Sequence, residues 1–190
     1  MRLSRFVSRV LRHDPGRIGL HLGPSGWADV PELLARAAAA GVPLTRERLD
    51  AVVEQNDKQR FALSDDRSRI RANQGHSITV DLDLVPVPAP DVLYHGTGHQ
   101  SVGAILVEGL TPRWRHHVHL SGDPDTAAAV GRRHGRPVVL LVDAGRMQAD
   151  GLSLYRSANG VWLADAVPPA YLRRTDVDGR PPWADTADGR

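Results

Sequence analysis

A chain of 190 residues, 41% hydrophobic and 24% charged, is long enough for one large or two small folded domains and is ordinary in composition for a soluble protein. It has no cysteine, which excludes a disulfide framework and any thiolate metal site. No apolar run approaches the roughly 18 residues that would suggest a membrane-spanning helix.

The formal net charge is only +2, but Lys58 is the one lysine among 24 basic residues. Guanidinium groups suit planar, two-pronged phosphate contacts. A GC-rich genome would produce the same bias, so the positions of the arginines carry more weight than their number. Leu3, Phe6, Val7, Val10 and Leu11 follow the stripe of an amphipathic helix. Arg5, Arg9 and Arg12 fall on the opposite face, and Arg5 and Arg9 interrupt any signal-peptide core. A soluble, cytoplasmic protein is therefore expected. Asp14-Pro15 stops the helix, leaving Arg12 and His13 at its end, where they can face a ligand.

The turn Gly23-Pro24-Ser25-Gly26 leads to Trp27. Asp29 and Glu32 have capping-box spacing, so a second helix is predicted to run to about Ala40. Thr45 can cap a third. Short strands at 61–63 and 70–72 then flank a turn at 64–68, giving a hairpin. Three helices and a hairpin predict a winged-helix module over residues 1–85, a shape that often binds nucleic acid. After its second strand the chain reads Ile70-Arg71-Ala72-Asn73-Gln74-Gly75-His76-Ser77: arginine, amide, imidazole and hydroxyl, with a glycine that lets backbone approach an oxygen-rich anion. Arg71 with Gln74, His76 and Ser77 are candidate substrate contacts. Arg5, Arg9, Arg12, Arg67, Arg69 and Arg71 form the expected positive face, with few aromatics for stacking.

Alternating prolines within 86–91 predict a linker. Residues 92–174 then read as a β-rich α+β lobe. A strand reaches His95-Gly96-Thr97, a short helix ends near Gly109, and His117-Val-His-Leu-Ser121 alternates like a strand. An alanine-rich helix spans about 125–132, a buried strand 138–142, and a hairpin turns at Asn159-Gly160. The tail, 175–190, is polar and expected to be disordered. His116, His117 and His119 lack a nearby carboxylate or cysteine in sequence, so no metal is expected. Neither a dinucleotide-binding glycine fingerprint nor a P-loop is present.

Val10-Leu-Arg-His13, Lys58-Gln-Arg-Phe61, the 70–77 stretch, Tyr94-His-Gly-Thr97, His116-His-Val-His-Leu-Ser121, Val130-Gly-Arg-Arg-His-Gly135 and Asn159-Gly-Val-Trp-Leu163 occur in register over about residues 3–173. Together they resemble the RNA 2'-phosphotransferase (KptA-type) family. The resemblance implies an N-terminal winged-helix RNA lobe and a C-terminal lobe like those of ADP-ribosyltransferases. It implies NAD as co-substrate, and removal of an internal 2'-phosphate through an RNA–phospho–ADP-ribose intermediate. The products would be 2'-hydroxyl RNA, nicotinamide and ADP-ribose 1'',2''-cyclic phosphate. The family's Arg-His-Arg-Arg set falls on Arg12, His13, Arg71 and Arg133, the last preferred over adjacent Arg132 by its Arg-His-Gly context. His95, Gly96 and Thr97 would hold the nicotinamide riboside end, and His117, His119 and Ser121 are NAD-lobe positions. A monomer is expected.

Two other functions fit parts of the sequence. A winged-helix regulator would use the first lobe and leave 95–163 without a role. An ADP-ribosyltransferase acting on terminal phosphates of nucleic acid would stop after the first chemical step and retain ADP-ribose on its product.

Overall fold

The computed structural model describes residues 3–55 and 59–174, so Lys58 and the polar tail lie outside the described residues. Helices and antiparallel sheets alternate along the chain in an α+β architecture. The chain divides into two units. The first takes the residues through Leu84 with Trp114–His116 and Ser157–Asn159; the second takes Val85–Arg113, His117–Arg156 and the chain from Gly160.

In the first unit, helix α1 (Leu3–Arg12) buries Phe6, Val7, Val10 and Leu11, the apolar stripe read from the sequence. Strand β1 (Ala28–Asp29) precedes helix α2 (Val30–Ala39), where Asp29 Oδ1 accepts the Glu32 N–H at 2.9 Å. Helix α3 (Arg46–Glu54) starts where Thr45 Oγ1 accepts the Arg48 N–H at 3.4 Å. Each such cap satisfies a backbone donor that the helix cannot and contributes about 1 kcal/mol. Strands β2 (Phe61–Leu63) and β3 (Arg69–Ala72) form the hairpin, and β1 adds to β3 to give a sheet ordered β1-β3-β2. The register sets Ala28 opposite Ile70 and Phe61 opposite Ala72. The two-residue strand β1 was invisible in sequence because its pairing with β3 is non-local.

The α1 stripe packs with Leu20, Leu33, Leu49, Phe61 and Ile70 in one core. Burying side chains of this size is worth about 1.5–3 kcal/mol each. That core fixes the end of α1 and the exit of β3, the two places that carry Arg12, His13 and Arg71.

In the second unit, strand β4 (Val92–Gly98) leads to helix α4 (Val102–Glu108), which ends at Gly109 with φ 86°. Strand β5 (Val118–Leu120), helix α5 (Pro124–Gly131), strand β6 (Pro137–Asp143) and helix α6 (Ala144–Ala149) follow. Strands β7 (Leu154–Arg156), β8 (Trp162–Ala164) and β9 (Leu172–Arg174) complete two three-stranded sheets, β4-β6-β9 and β5-β8-β7. Tyr94 and Ser121 exchange backbone hydrogen bonds at 2.8 and 2.9 Å, linking β4 to the end of β5. Leu93, Ile105, Leu120, Leu140, Val142, Met147 and Trp162 share the core. Among the described residues, no helix is long and apolar enough to cross a membrane.

Candidate active site

Arg12 ends α1 and does not lie out with Arg5 and Arg9. Its Nη2 donates to the Arg60 carbonyl at 3.2 Å, and its guanidinium lies 5.8 Å from the Phe61 ring centre. The Arg60 carbonyl also accepts the Asn73 N–H at 3.0 Å, so one oxygen ties the end of α1 to the segment after β3. That segment is held again by Ser77, whose N–H donates to the Arg12 carbonyl at 2.9 Å and whose Oγ lies 2.9 Å from His13 Nδ1. Gly75 has φ 85°, a left-handed turn that glycine adopts freely, and a Cβ there would come within 3.8 Å of Arg12 Nη1.

Arg71 points from β3 onto Trp27, with its guanidinium carbon 4.7 Å from the ring centre; Arg69 lies over the same indole at 5.3 Å. Trp27 was missed as a site residue, although its position after the Gly-Pro-Ser-Gly turn marked it in the sequence. His76 is only 2% exposed. Gln74 is half-buried, and the Asn73 amide donates to the Gln59 carbonyl at 2.6 Å.

The electrostatics of this group are one-sided. Burial, with the charges of Arg60 and Arg115, lowers Arg12 to about 10, so it stays a cation at neutral pH. Desolvation followed by Arg12, Arg115 and Arg9 lowers His13. Burial, then Arg12, His116, His13 and Arg71, pushes His76 down to about 4. The charges that perturb Arg12 and His13 most are those of other arginines. Arg12 Nε, Arg71 Nε, both His76 ring nitrogens and Asn73 Oδ1 are buried without a hydrogen-bond partner among the described residues. The two guanidinium Nε–H groups and the single N–H of neutral His76 are donors set among cations that lack counter-charge, and an anion would satisfy them; Asn73 Oδ1 and the other His76 nitrogen are acceptors. Arg115 and His116 belong to this unit, and His116 Nε2 donates to the Ile78 carbonyl at 2.6 Å. The sequence placed both in the second lobe, because chain order suggests it and only the fold reassigns them.

Arg67, expected on the positive face, is instead committed: its Nη2 lies 3.0 Å from Asp50 and 3.5 Å from Glu54. It sits in the hairpin turn at φ 56°. Arg9 is likewise 3.5 Å from Asp14.

In the second unit, His95 is half-buried on β4, and its Nδ1–H donates to the His119 carbonyl at 3.1 Å. Burial lowers His95, the His119 carbonyl opposes this, and His134 lowers it further. The ring is therefore neutral at pH 7, and with Nδ1 carrying the proton its Nε2 is an acceptor. His119 repeats the arrangement, its Nδ1–H donating to the His117 carbonyl at 3.1 Å. His117 Nε2 lies 3.6 Å from Asp165 Oδ1, and its ring meets Tyr155 edge-on at 5.6 Å. Asp165 is a carboxylate that sequence spacing did not bring to the histidines; the β5–β8 pairing does.

Thr97 is buried, at 7% exposure. Gly96 has a packing role that its sequence context did not reveal. A Cβ there would stand 1.7 Å from the Ala127 carbonyl oxygen, because α5 lies directly on β4. Arg132 and Arg133 are both exposed in the 3-10 turn Arg132–His134, where the Gln100 side chain holds the His134 carbonyl at 2.7 Å.

The family model for RNA 2'-phosphotransferase, Tpt1 / KptA family, matches residues 1–166. A probable RNA 2'-phosphotransferase of Agrobacterium fabrum is 58% identical over 169 residues, covering 89% of this chain and 91% of the relative. Probable RNA 2'-phosphotransferases of Nostoc punctiforme and Streptomyces griseus are each 52% identical. The first match covers 92% of this chain and 96% of the relative, the second 90% and 95%. The chain belongs to the RNA 2'-phosphotransferase, Tpt1 / KptA family.

Proposed function

We propose that this protein is an NAD-dependent RNA 2'-phosphotransferase whose first unit, read as a winged-helix lobe, holds the 2'-phosphate of an internal RNA nucleotide. The observation that carries this reading is the convergence of Arg12, His13 and Arg71 at the end of α1 and the exit of β3, with buried donors lacking partners. A phosphate monoester bears about −1.5 to −2 charge near pH 7 and offers three acceptor oxygens, matching that demand in charge and in hydrogen bonding.

The β4–β5 edge of the second unit, read as an ADP-ribosyltransferase-like lobe, is the candidate NAD site. His95 Nε2, the buried Thr97 hydroxyl and the Ser121 segment paired to β4 supply neutral polar groups fitting ribose and amide functions. His117, His119 and Gly96 complete that edge. Bound there, NAD would supply an electrophilic ribose carbon with neutral nicotinamide as leaving group.

The chain's own work follows from these assignments. A phosphate already ionised needs no base to act as nucleophile, so Arg12 and Arg71 serve the first step by orienting it and screening its charge. The second step forms a five-coordinate phosphorus with additional charge on its oxygens. Guanidiniums aimed at those oxygens act most strongly there; Arg71 supplies one from the first unit, and Arg133 is proposed as another on the family resemblance of its Arg-His-Gly context. His13, held below its ordinary range by burial and then by the arginines around it, is the group that takes a proton at Nε2 from an attacking hydroxyl and returns it to the leaving RNA oxygen. Ser77 at Nδ1 fixes which nitrogen faces the substrate.

The test is nicotinamide release. The protein should liberate nicotinamide from NAD only when an oligoribonucleotide bearing an internal 2'-phosphate is present. Release with unphosphorylated RNA at the same rate, or none with either RNA, would count against the reading.

A further inference from the structure

Trp114 is 87% exposed, the most exposed large apolar side chain among the described residues. A single exposed apolar residue needs no explanation by itself. Its surroundings do. Arg113, at φ 52°, and Arg115 flank the indole, and no acidic residue occurs between Glu108 and Asp123. Two residues on, His116 donates to the Ile78 carbonyl at 2.6 Å. Ile78 follows Ser77, which bonds both His13 and the Arg12 carbonyl. The segment Trp114–His116 is thus part of the first unit and is anchored one residue from the phosphate-binding candidates. The charge of Arg115 also reaches Arg12 and His13.

We propose that Trp114 is a stacking platform for a base flanking the 2'-phosphorylated nucleotide, with Arg113 and Arg115 on the adjoining backbone phosphates. This rests on the reading of Arg12, His13 and Arg71 as the 2'-phosphate site. An RNA strand whose 2'-phosphate sits on those residues carries neighbouring bases that are unstacked unless the protein receives them. An exposed indole with an arginine before and after it in the chain can receive any base, because every base has a π-face and the RNA backbone is anionic. The expected contribution is to affinity, with little sequence preference.

The test needs no turnover. Calorimetric titration, without NAD, compares a trinucleotide carrying a central 2'-phosphate with its counterparts made abasic at either flanking position. Wild type, Trp114→Phe and Trp114→Ala are each measured. Removing one flanking base should weaken wild-type binding by roughly tenfold, and Trp114→Ala should weaken binding of the intact trinucleotide by a similar factor. The abasic loss should vanish in Trp114→Ala and persist in Trp114→Phe. Equal abasic losses in wild type and Trp114→Ala, or unchanged affinity in Trp114→Ala, overturn the proposal. Weaker binding of NAD alone to Trp114→Ala would assign the indole to the dinucleotide and also overturn it. Failure of the enzymatic reading would appear separately, as absence of nicotinamide release by the wild type.

Discussion

Ser77 Oγ stands 2.9 Å from His13 Nδ1, across 64 residues of chain, while the Ser77 N–H holds the carbonyl of Arg12. The loop after β3 therefore sets both the position of α1's last turn and the orientation of the imidazole on it. A hydrogen bond of this kind is worth about 1 kcal/mol, so Ser77→Ala should lower the rate of 2'-phosphate removal roughly fivefold. Ser77 is exposed and its backbone bond survives the substitution, so any loss of stability should be no more than about 1 kcal/mol. Paired single-turnover and melting experiments check this; a large loss of stability would assign Ser77 a structural role instead.

Trp27 should act through Arg71. A cation–π contact contributes about 0.5–2 kcal/mol, so Trp27→Leu should cost roughly 2- to 30-fold in turnover. Arg71→Ala should cost about 10²–10³ and slow the second chemical step more than the first, so that an RNA species heavier than the substrate accumulates. Arg133→Ala should do the same. Lysine at either position restores charge without the two-pronged geometry and rescues only in part. Once Arg71 is alanine, Trp27→Leu should have no further effect on turnover. Additive losses in the double variant would break the link between the two residues.

His76 predicts a pH dependence of stability. Its ordinary value is 6.5 and burial among cations sets it near 4 in the folded protein. Above pH 6.5 both states hold a neutral ring and nothing changes. As pH falls from about 6.5 to about 4, the unfolded chain takes up a proton that the folded one refuses, and stability is lost, by about 2–3 kcal/mol at the lower end. Denaturant unfolding across that range should show the fall, and His76→Phe should remove this component. A bound phosphate would offset the surrounding cations and flatten the profile.

At Gly96, packing and ligand contact are separable. Adding a methyl group against the Ala127 carbonyl forces α5 off β4, so Gly96→Ala should cost more than about 3 kcal/mol of stability or prevent folding. His95→Ala removes a half-buried ring at the same edge and should lower nicotinamide release while leaving the melting temperature within a few degrees. If Gly96→Ala folded normally, the observed approach of helix and strand would be contradicted.

Local signals were legible in the sequence. The stripe from Leu3 to Leu11, the Asp29 and Thr45 caps and the strands around Arg71 and His95 all appear where periodicity and capping chemistry put them. Non-local facts were not. The pairing of β1 with β3, the commitment of Arg67 to Asp50 and Glu54, the placing of Arg115 and His116 in the first unit, and the approach of Asp165 to His117 depend on contacts between distant segments. Among the site candidates, Arg12, His13 and Ser77 could be read as neighbours only through the family resemblance. Spacing alone gives no reason for residue 13 to meet residue 77.

The most direct test follows the fate of the 2'-phosphate. The full chain is incubated with NAD and an oligoribonucleotide carrying one internal 2'-phosphate, and both products are identified by mass. The account predicts RNA with a plain 2'-hydroxyl, together with nicotinamide and a cyclic phosphate of ADP-ribose. RNA that keeps its 2'-phosphate, or that retains ADP-ribose as the final product, would contradict it.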